Sequence, residues 1–273
     1  MNKIRQGEFE RITTKVNENI YRMVIPYKDI WTTVYAIKTP QGALLFDAAS
    51  YDDDAEQYIV PFLASCGITE ENLKYIFISH NHKDHAGGLV KLMEIYPKAV
   101  ILSRSTDIKN NFAEYDVIAP QENDLILDTF KVISVVGHTA DAAGLLDMRT
   151  KTFITGDSLQ IWGIVGSEPW AANIRFPVEY FEDIQKIQRM DISEIYAAHD
   201  YYPCGHKAQG KAEVDRYLDG CKQPLLKMKQ LILENPDMDD QGICDVYNKT
   251  EGIPTVRANV IKYLRAAVEK GRF

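Results

Sequence analysis

Short runs of β-branched and aromatic residues alternate with turn residues over the first part of the chain. FERITTKV, NIYRMVI, WTTVYAIKT and GALLFDA read as four successive strands over residues 9–47, with turns at 17–19 and 40–42. The pattern then changes period. Residues 53–65 have helical spacing and end near Gly67, and a strand at 75–79 runs directly into His80-Asn81-His82-Lys83-Asp84-His85. Helical spacing returns from His85 to Tyr96 and stops before Pro97. A second batch follows: strands at 99–103, 125–136, 144–148, 151–155 and 194–198, with helices at 105–114 and 178–190. From about Ala208 only helical signals remain, at 209–234, 240–248 and 254–270.

Two batches of strands, each with helices attached, predict an α/β fold of two sheets packed face to face with helices outside, an αββα sandwich. The helical tail predicts a division into a catalytic domain at 1–207 and a helical C-terminal subdomain at 208–273.

Composition narrows the functional classes. The 273 residues are 45% hydrophobic and 26% charged, which supports a sizeable core. The net charge of −8 argues against nucleic acid and against a polybasic membrane contact, since phosphate surfaces are held by clustered Lys and Arg. The first residues have no apolar leader core, and no apolar run is long enough to span a bilayer. Four cysteines without a paired spacing fit a reducing compartment. The expectation is a cytoplasmic protein that meets a small molecule, with homodimer formation left open.

The chemistry is concentrated in the histidines. There are six, and three fall in the stretch 80–85 together with Asp84. His80 and His82, two apart at a strand end, face one side. Gly87-Gly88 predicts a sharp turn into the next helix. Imidazole and carboxylate suit a borderline cation such as zinc. His138 (VVGHT), Asp157 (FITGDS) and His199 (IYAAHD) each follow an apolar strand at its carboxyl end, where functional loops gather.

The motifs S-H-x-H-x-D-H-x-G-G at 79–88, G-H-T at 137–139, T-G-D-S at 155–158 and A-H-D at 198–200 resemble the motif series of the metallo-β-lactamase superfamily, over residues 9–206. The resemblance implies the αββα metallo-β-lactamase sandwich. It also implies His80, His82 and His138 on a first metal, Asp84, His85 and His199 on a second, Asp157 between the two, and a bridging hydroxide. The implied cofactor is two zinc ions, with iron or manganese as alternatives. Asp157 stands where many β-lactamases have Cys or Ser, which places the likeness nearer glyoxalase II-like and lactonase-like hydrolases. The tail VIKYLRAAVEKGRF does not match the glutathione-binding segment of glyoxalase II.

The expected activity is therefore hydrolysis of a small ester, thioester or lactone, with Asp84 as proton shuttle. Alternatives are an iron persulfide dioxygenase with the same ligand set, a β-lactam hydrolase and a non-catalytic sensor. Tyr202 and His206 are candidates for protonating the leaving group, and Asp47 for orienting a ligand histidine. Two aromatic segments, 24–31 and 160–176 with Trp162, Trp170 and Phe176, are candidate substrate walls, the alternative being ordinary packing.

Overall fold

The computed structural model describes residues 12–165, 173–251 and 256–273. The first sheet has seven strands in sequential order: β1 Thr13–Lys15, β2 Ile20–Tyr27, β3 Ile30–Thr39, β4 Gly42–Phe46, β5 Leu73–Phe77, β6 Val100–Leu102 and β7 Val117–Ile118. β1 to β4 pair antiparallel, and β4 to β7 pair parallel. The second sheet has the order β13-β12-β11-β10-β9-β8, from β8 Leu125–Ile126, β9 Phe130–Ser134, β10 Ala143–Asp147, β11 Thr152–Ile154, β12 Glu194–Tyr201 and β13 Gly205–Gln209.

Contacts divide the chain into two compact units, 1–132 and 133–273, and the division falls within β9. In the first unit, α1 (52–65) is a continuous helical stretch that widens to a π-type turn over Ala55–Ile59. That widening lies just before Pro61, which has no N–H to return to Gln57. α2 Lys83–Ala86 and α3 Leu89–Ile95 follow β5, and α4 Thr106–Asn111 follows β6. Alternate residues of β2 to β5 meet these helices in a core that includes Met23, Val34, Leu45, Ile59, Leu63, Leu89 and Leu92. Each such fully buried side chain contributes roughly 1.5–3 kcal/mol.

In the second unit, α5 Pro177–Gln188, α6 Lys211–Glu234, α7 Asp240–Glu251 and α8 Ala258–Glu269 share one core with the sheet. Tyr217, Leu218, Leu225, Ile261 and Leu264 pack in the same cluster as Ile133, Phe153 and Ile195. The helices after residue 208 thus bury their apolar stripes in the core of this unit.

Several elements differ from the sequence expectation, each for a local reason. The strand expected over 125–136 is a hairpin. Leu127 (φ 50°) and Asp128 (φ 56°) are both left-handed, and Thr129 N–H donates to Ile126 O across them. Such φ values are what a tight hairpin turn demands, and Leu is not a turn signal. The expected final strand is not the last. β13 returns antiparallel to β12 through a turn at Tyr202–Cys204, and α6 begins only after Gly210 (φ 81°). The helix expected from His85 to Tyr96 is two helices separated at Gly87-Gly88.

Candidate metal centre

The donor loop of the first unit leaves β5 and enters α2. Gly87 (φ −67°) and Gly88 (φ −90°) have backbone angles open to any residue, so the sharp-turn reading is corrected. Their smallness serves close approach instead. A Cβ on Gly87 would lie 2.0 Å from Ser50 O, and one on Gly88 2.4 Å from Ala48 O. The loop 48–51 is thereby held against the donor loop, reinforced by Gly87 N–H to Ala49 O and Ala48 N–H to His85 O.

Asp47 organises this half. It is fully buried and left-handed (φ 64°) at the end of β4. Its Oδ1 accepts Ser79 N–H (2.7 Å), and its Oδ2 accepts Ser79 Oγ–H (2.9 Å). His85 Nδ1 lies 2.7 Å from Oδ2 and donates to it, which leaves Nε2 as the ring's lone-pair nitrogen. Ser79 Oγ lies 3.1 Å from His80 Nδ1, so the same carboxylate sets His80 through the serine, with Nε2 forward. Burial pushes the Asp47 carboxyl above its ordinary range, while His85 and the Ser79 bonds pull it back. His80 Nε2 and His82 Nδ1 are 2.9 Å apart, and His85 Nε2 and Asp84 Oδ2 are 3.6 Å apart.

In the second unit the donors come from three separate strand ends. His138 follows β9 after Gly137, where a Cβ would meet Tyr180 Cβ of α5 at 2.3 Å. Its Nδ1 donates to Asn173 O (2.7 Å), leaving Nε2 forward. Gln160 braces that contact from behind: its Oε1 accepts Asn173 N–H (2.7 Å) and so fixes the segment whose carbonyl His138 meets. Tyr180 OH donates to Gln160 O. Lys186 donates to Ser134 O, and Asp183 on the same helix faces the Val136 and Gly137 N–H groups. Burial raises the Asp183 carboxyl to about 6, against the opposing pull of Lys186 and those N–H groups.

Asp157 follows Gly156, which takes the left-handed turn (φ 57°) that ends β11. Its Oδ2 lies 3.6 Å from His138 Nε2, and its Oδ1 lies 3.2 Å from His199 Nε2. Tyr201, two residues on from His199 and on the same face of β12, donates its OH to Asp157 Oδ1 (3.1 Å).

The chemistry of these donors fits a borderline metal. Bonds of 2.0–2.1 Å at tetrahedral angles place neighbouring ligand atoms about 3.3 Å apart. The four donor pairs, at 2.9, 3.6, 3.6 and 3.2 Å, scatter about that value. His80, His85, His138, Asp157 and His199 are all buried, and each histidine whose outer nitrogen is bonded presents the other one forward.

The other candidates differ in their surroundings. Tyr202 is 45% exposed, and its side chain makes no hydrogen bond among the described residues. The buried Tyr201, its neighbour, donates to the Asp157 carboxylate. His206 is half-exposed on β13, with Nδ1 3.8 Å from Asp200 Oδ1. Trp162 packs on the helical core with the Lys227 ammonium 4.5 Å over its ring, and Phe176 is half-buried beside α5. Trp170 lies outside the described residues. The sequence carries no motif for Gln160, Asn173 or Asp183, because the groups they meet are far away along the chain. The one available signal for Tyr201 is its two-residue spacing from His199.

Comparison with known proteins matches this arrangement to a family. The Metallo-beta-lactamase superfamily model covers residues 32–212, more than half of the chain. A hydroxyacylglutathione hydrolase of Francisella tularensis subsp. novicida is 29% identical over 171 residues, 62% of this chain and 62% of that protein. Hydroxyacylglutathione hydrolase 1 of Vibrio vulnificus is 26% identical over 200 residues, covering 71% of this chain and 73% of that protein. For the Francisella relatives the chain spans less than two thirds of their length. Among solved structures, a metallo-beta-lactamase family protein from Thermus thermophilus superposes with a TM-score of 0.64 at 14% identity, covering 94% of this chain and 95% of that one. The rubredoxin oxygen:oxidoreductase of Desulfovibrio gigas does so at 0.62, again at 14% identity, covering 93% and 75%. These likenesses show the fold expected from the motifs. The chain belongs to the metallo-β-lactamase superfamily.

Proposed function

We propose that this protein is a dinuclear metal-dependent hydrolase of a small thioester or ester. The observation that carries the reading is the Asp157 carboxylate, which turns one oxygen to His138 and the other to His199. A single side chain so placed would serve two cations. The proposed ligands are His80, His82 and His138 for one ion and Asp84, His85 and His199 for the other, with Asp157 shared. Zinc is the proposed metal. The relatives' name supports the substrate class, because a hydroxyacyl group on glutathione is held by a thioester bond.

When bound, the metal pair lowers the pKa of water and acts as Lewis acid towards the carbonyl. The chain's own groups do the rest. Asp47 and Ser79 fix the ring orientation of His85 and His80. Tyr201 holds the Oδ1 side of Asp157. Asp84, whose side chain is 15% exposed, can take a proton from water and pass it to the leaving group. Among the described residues no helix is long and apolar enough to cross a membrane. We propose a cytoplasmic setting, consistent with four free cysteines.

The test is turnover of a thioester, an aryl ester and a lactone by the metal-loaded protein, with oxygen uptake recorded in parallel. Thioester hydrolysis without oxygen uptake is the expected result. Oxygen consumption with one iron per chain and no acyl turnover would replace the hydrolase with a dioxygenase.

A further inference from the structure

Among the described residues, two lysines beside the first donor set pair with no carboxylate. Lys83 lies between His82 and Asp84 in the chain, and its ammonium sits 4.2 Å from the centroid of the Tyr51 ring. Tyr51 is 43% exposed and tilts on Tyr27, with ring centroids 6.3 Å apart. The Lys28 ammonium lies 5.2 Å from the centroid of Tyr27. Neither ammonium donates a hydrogen bond among the described residues. Lys91, Lys98, Lys151 and Lys222 pair with carboxylates, whereas Lys83 and Lys28, like Lys15 over Tyr21 and Lys229 over Phe273, lie over rings; what distinguishes Lys83 and Lys28 is their place at the donor loop. Asp52 and Asp53, which open α1 next to Tyr51, pair with neither lysine.

The four residues come from three segments tied together at the donor loop. Thr32, just beyond the β2–β3 turn that carries Tyr27 and Lys28, donates its hydroxyl to Asp84 O (3.0 Å). Loop 48–51, which carries Tyr51, is pressed against Gly87 and Gly88. Lys83 belongs to the donor loop itself. Left-handed Lys28 (φ 52°) marks a tight hairpin tip. A ring face does not neutralise an ammonium. It restrains the long side chain, leaves its N–H donors available, and so lowers the entropy that an anion would otherwise cost on binding.

We propose that Lys83 and Lys28, carried on the faces of Tyr51 and Tyr27, bind a carboxylate at the non-reacting end of the substrate. The proposal rests on the hydrolase reading and narrows it to acyl compounds with an anionic end, such as the half-thioester of a dicarboxylic acid.

A matched pair of thioesters tests it, one ending in a carboxylate and the other in the primary amide, assayed on the metal-loaded full chain. Charge-assisted hydrogen bonds predict a kcat/KM preference of about tenfold or more for the carboxylate, falling as salt rises. Lys83→Ala brings the ratio of the two towards one, and Lys83→Arg retains it. Equal turnover of the pair by the wild type, or a ratio that Lys83→Ala does not change, overturns the proposal. If neither thioester is turned over, the hydrolase reading has failed. The anion site is then judged by NMR with glutarate: shifts of the Tyr51 and Tyr27 ring signals that vanish in Lys83→Ala uphold it, and no shifts in the wild type reject it.

Discussion

In the first unit a buried carboxylate holds the donor histidines, whereas in the second neutral groups and a helix do. Asp47 reaches His85 directly and His80 through Ser79, so one charge governs two rings on a six-residue loop. His138, by contrast, is oriented by the Asn173 carbonyl, braced by Gln160, and packed against α5 through Gly137 and Tyr180. The first arrangement is short-range and electrostatic, and it is sensitive to one atom group. The second spreads the same task over several weak contacts between distant segments. Removing a support should therefore cost more in the first unit than in the second.

Substitutions of the donors themselves set the upper end of the scale. Asp84→Asn is expected to lower kcat by about a hundredfold or more while thermal stability is retained, as removal of a proton-transferring carboxylate does. Unchanged turnover in steady-state assays would remove Asp84 from the proton path. Next comes Asp47→Ala. It strands the buried His85 N–H and Ser79 hydroxyl, and should weaken metal binding by about 10–100-fold, measured by chelator competition, and cost about 1–3 kcal/mol of unfolding free energy. Gln160→Ala removes only a brace behind His138, so the comparison predicts a smaller loss, about tenfold or less in metal affinity. If Gln160→Ala proves as damaging as Asp47→Ala, the contrast between the units fails.

These supports are unequally legible in the sequence. The donor loop is readable because four ligand-type side chains fall within six residues, and the strand ends at His138, Asp157 and His199 repeat one local context. Asp47 can be suspected from its place after an apolar strand. Gln160, Asn173 and Asp183 cannot, since nothing in a polar residue's neighbours along the chain shows which distant group it will meet. The Leu127-Asp128 turn is hidden for a different reason: tertiary pairing of β8 with β9 imposes left-handed φ on a residue that local preference would place in a strand. Gly87 and Gly88 are visible as glycines, but only the approach of Ser50 and Ala48 shows that space, not backbone freedom, is what they supply.

α5 adds a pH-dependent difference. Asp183 is raised from 3.8 to about 6 by burial, so the folded chain holds its proton more tightly than the unfolded chain. The native state is therefore favoured below about pH 4, and that advantage is lost as pH rises through about 6. The change corresponds to roughly 3 kcal/mol at most. Asp183→Asn, which cannot ionise, should gain stability relative to the wild type over this range in urea unfolding at pH 4, 5, 6 and 7. A constant difference between the two proteins across these pH values would place the Asp183 carboxyl in its ordinary range.

The proposed function requires that one chain hold two metal ions shared through Asp157. Elemental mass spectrometry of the protein after metal loading and exhaustive dialysis tests it most directly, with Asp157→Ala measured alongside. About two ions per wild-type chain and loss of bound metal in the variant are expected. A single ion in the wild type, or the same metal content in both proteins, would contradict it.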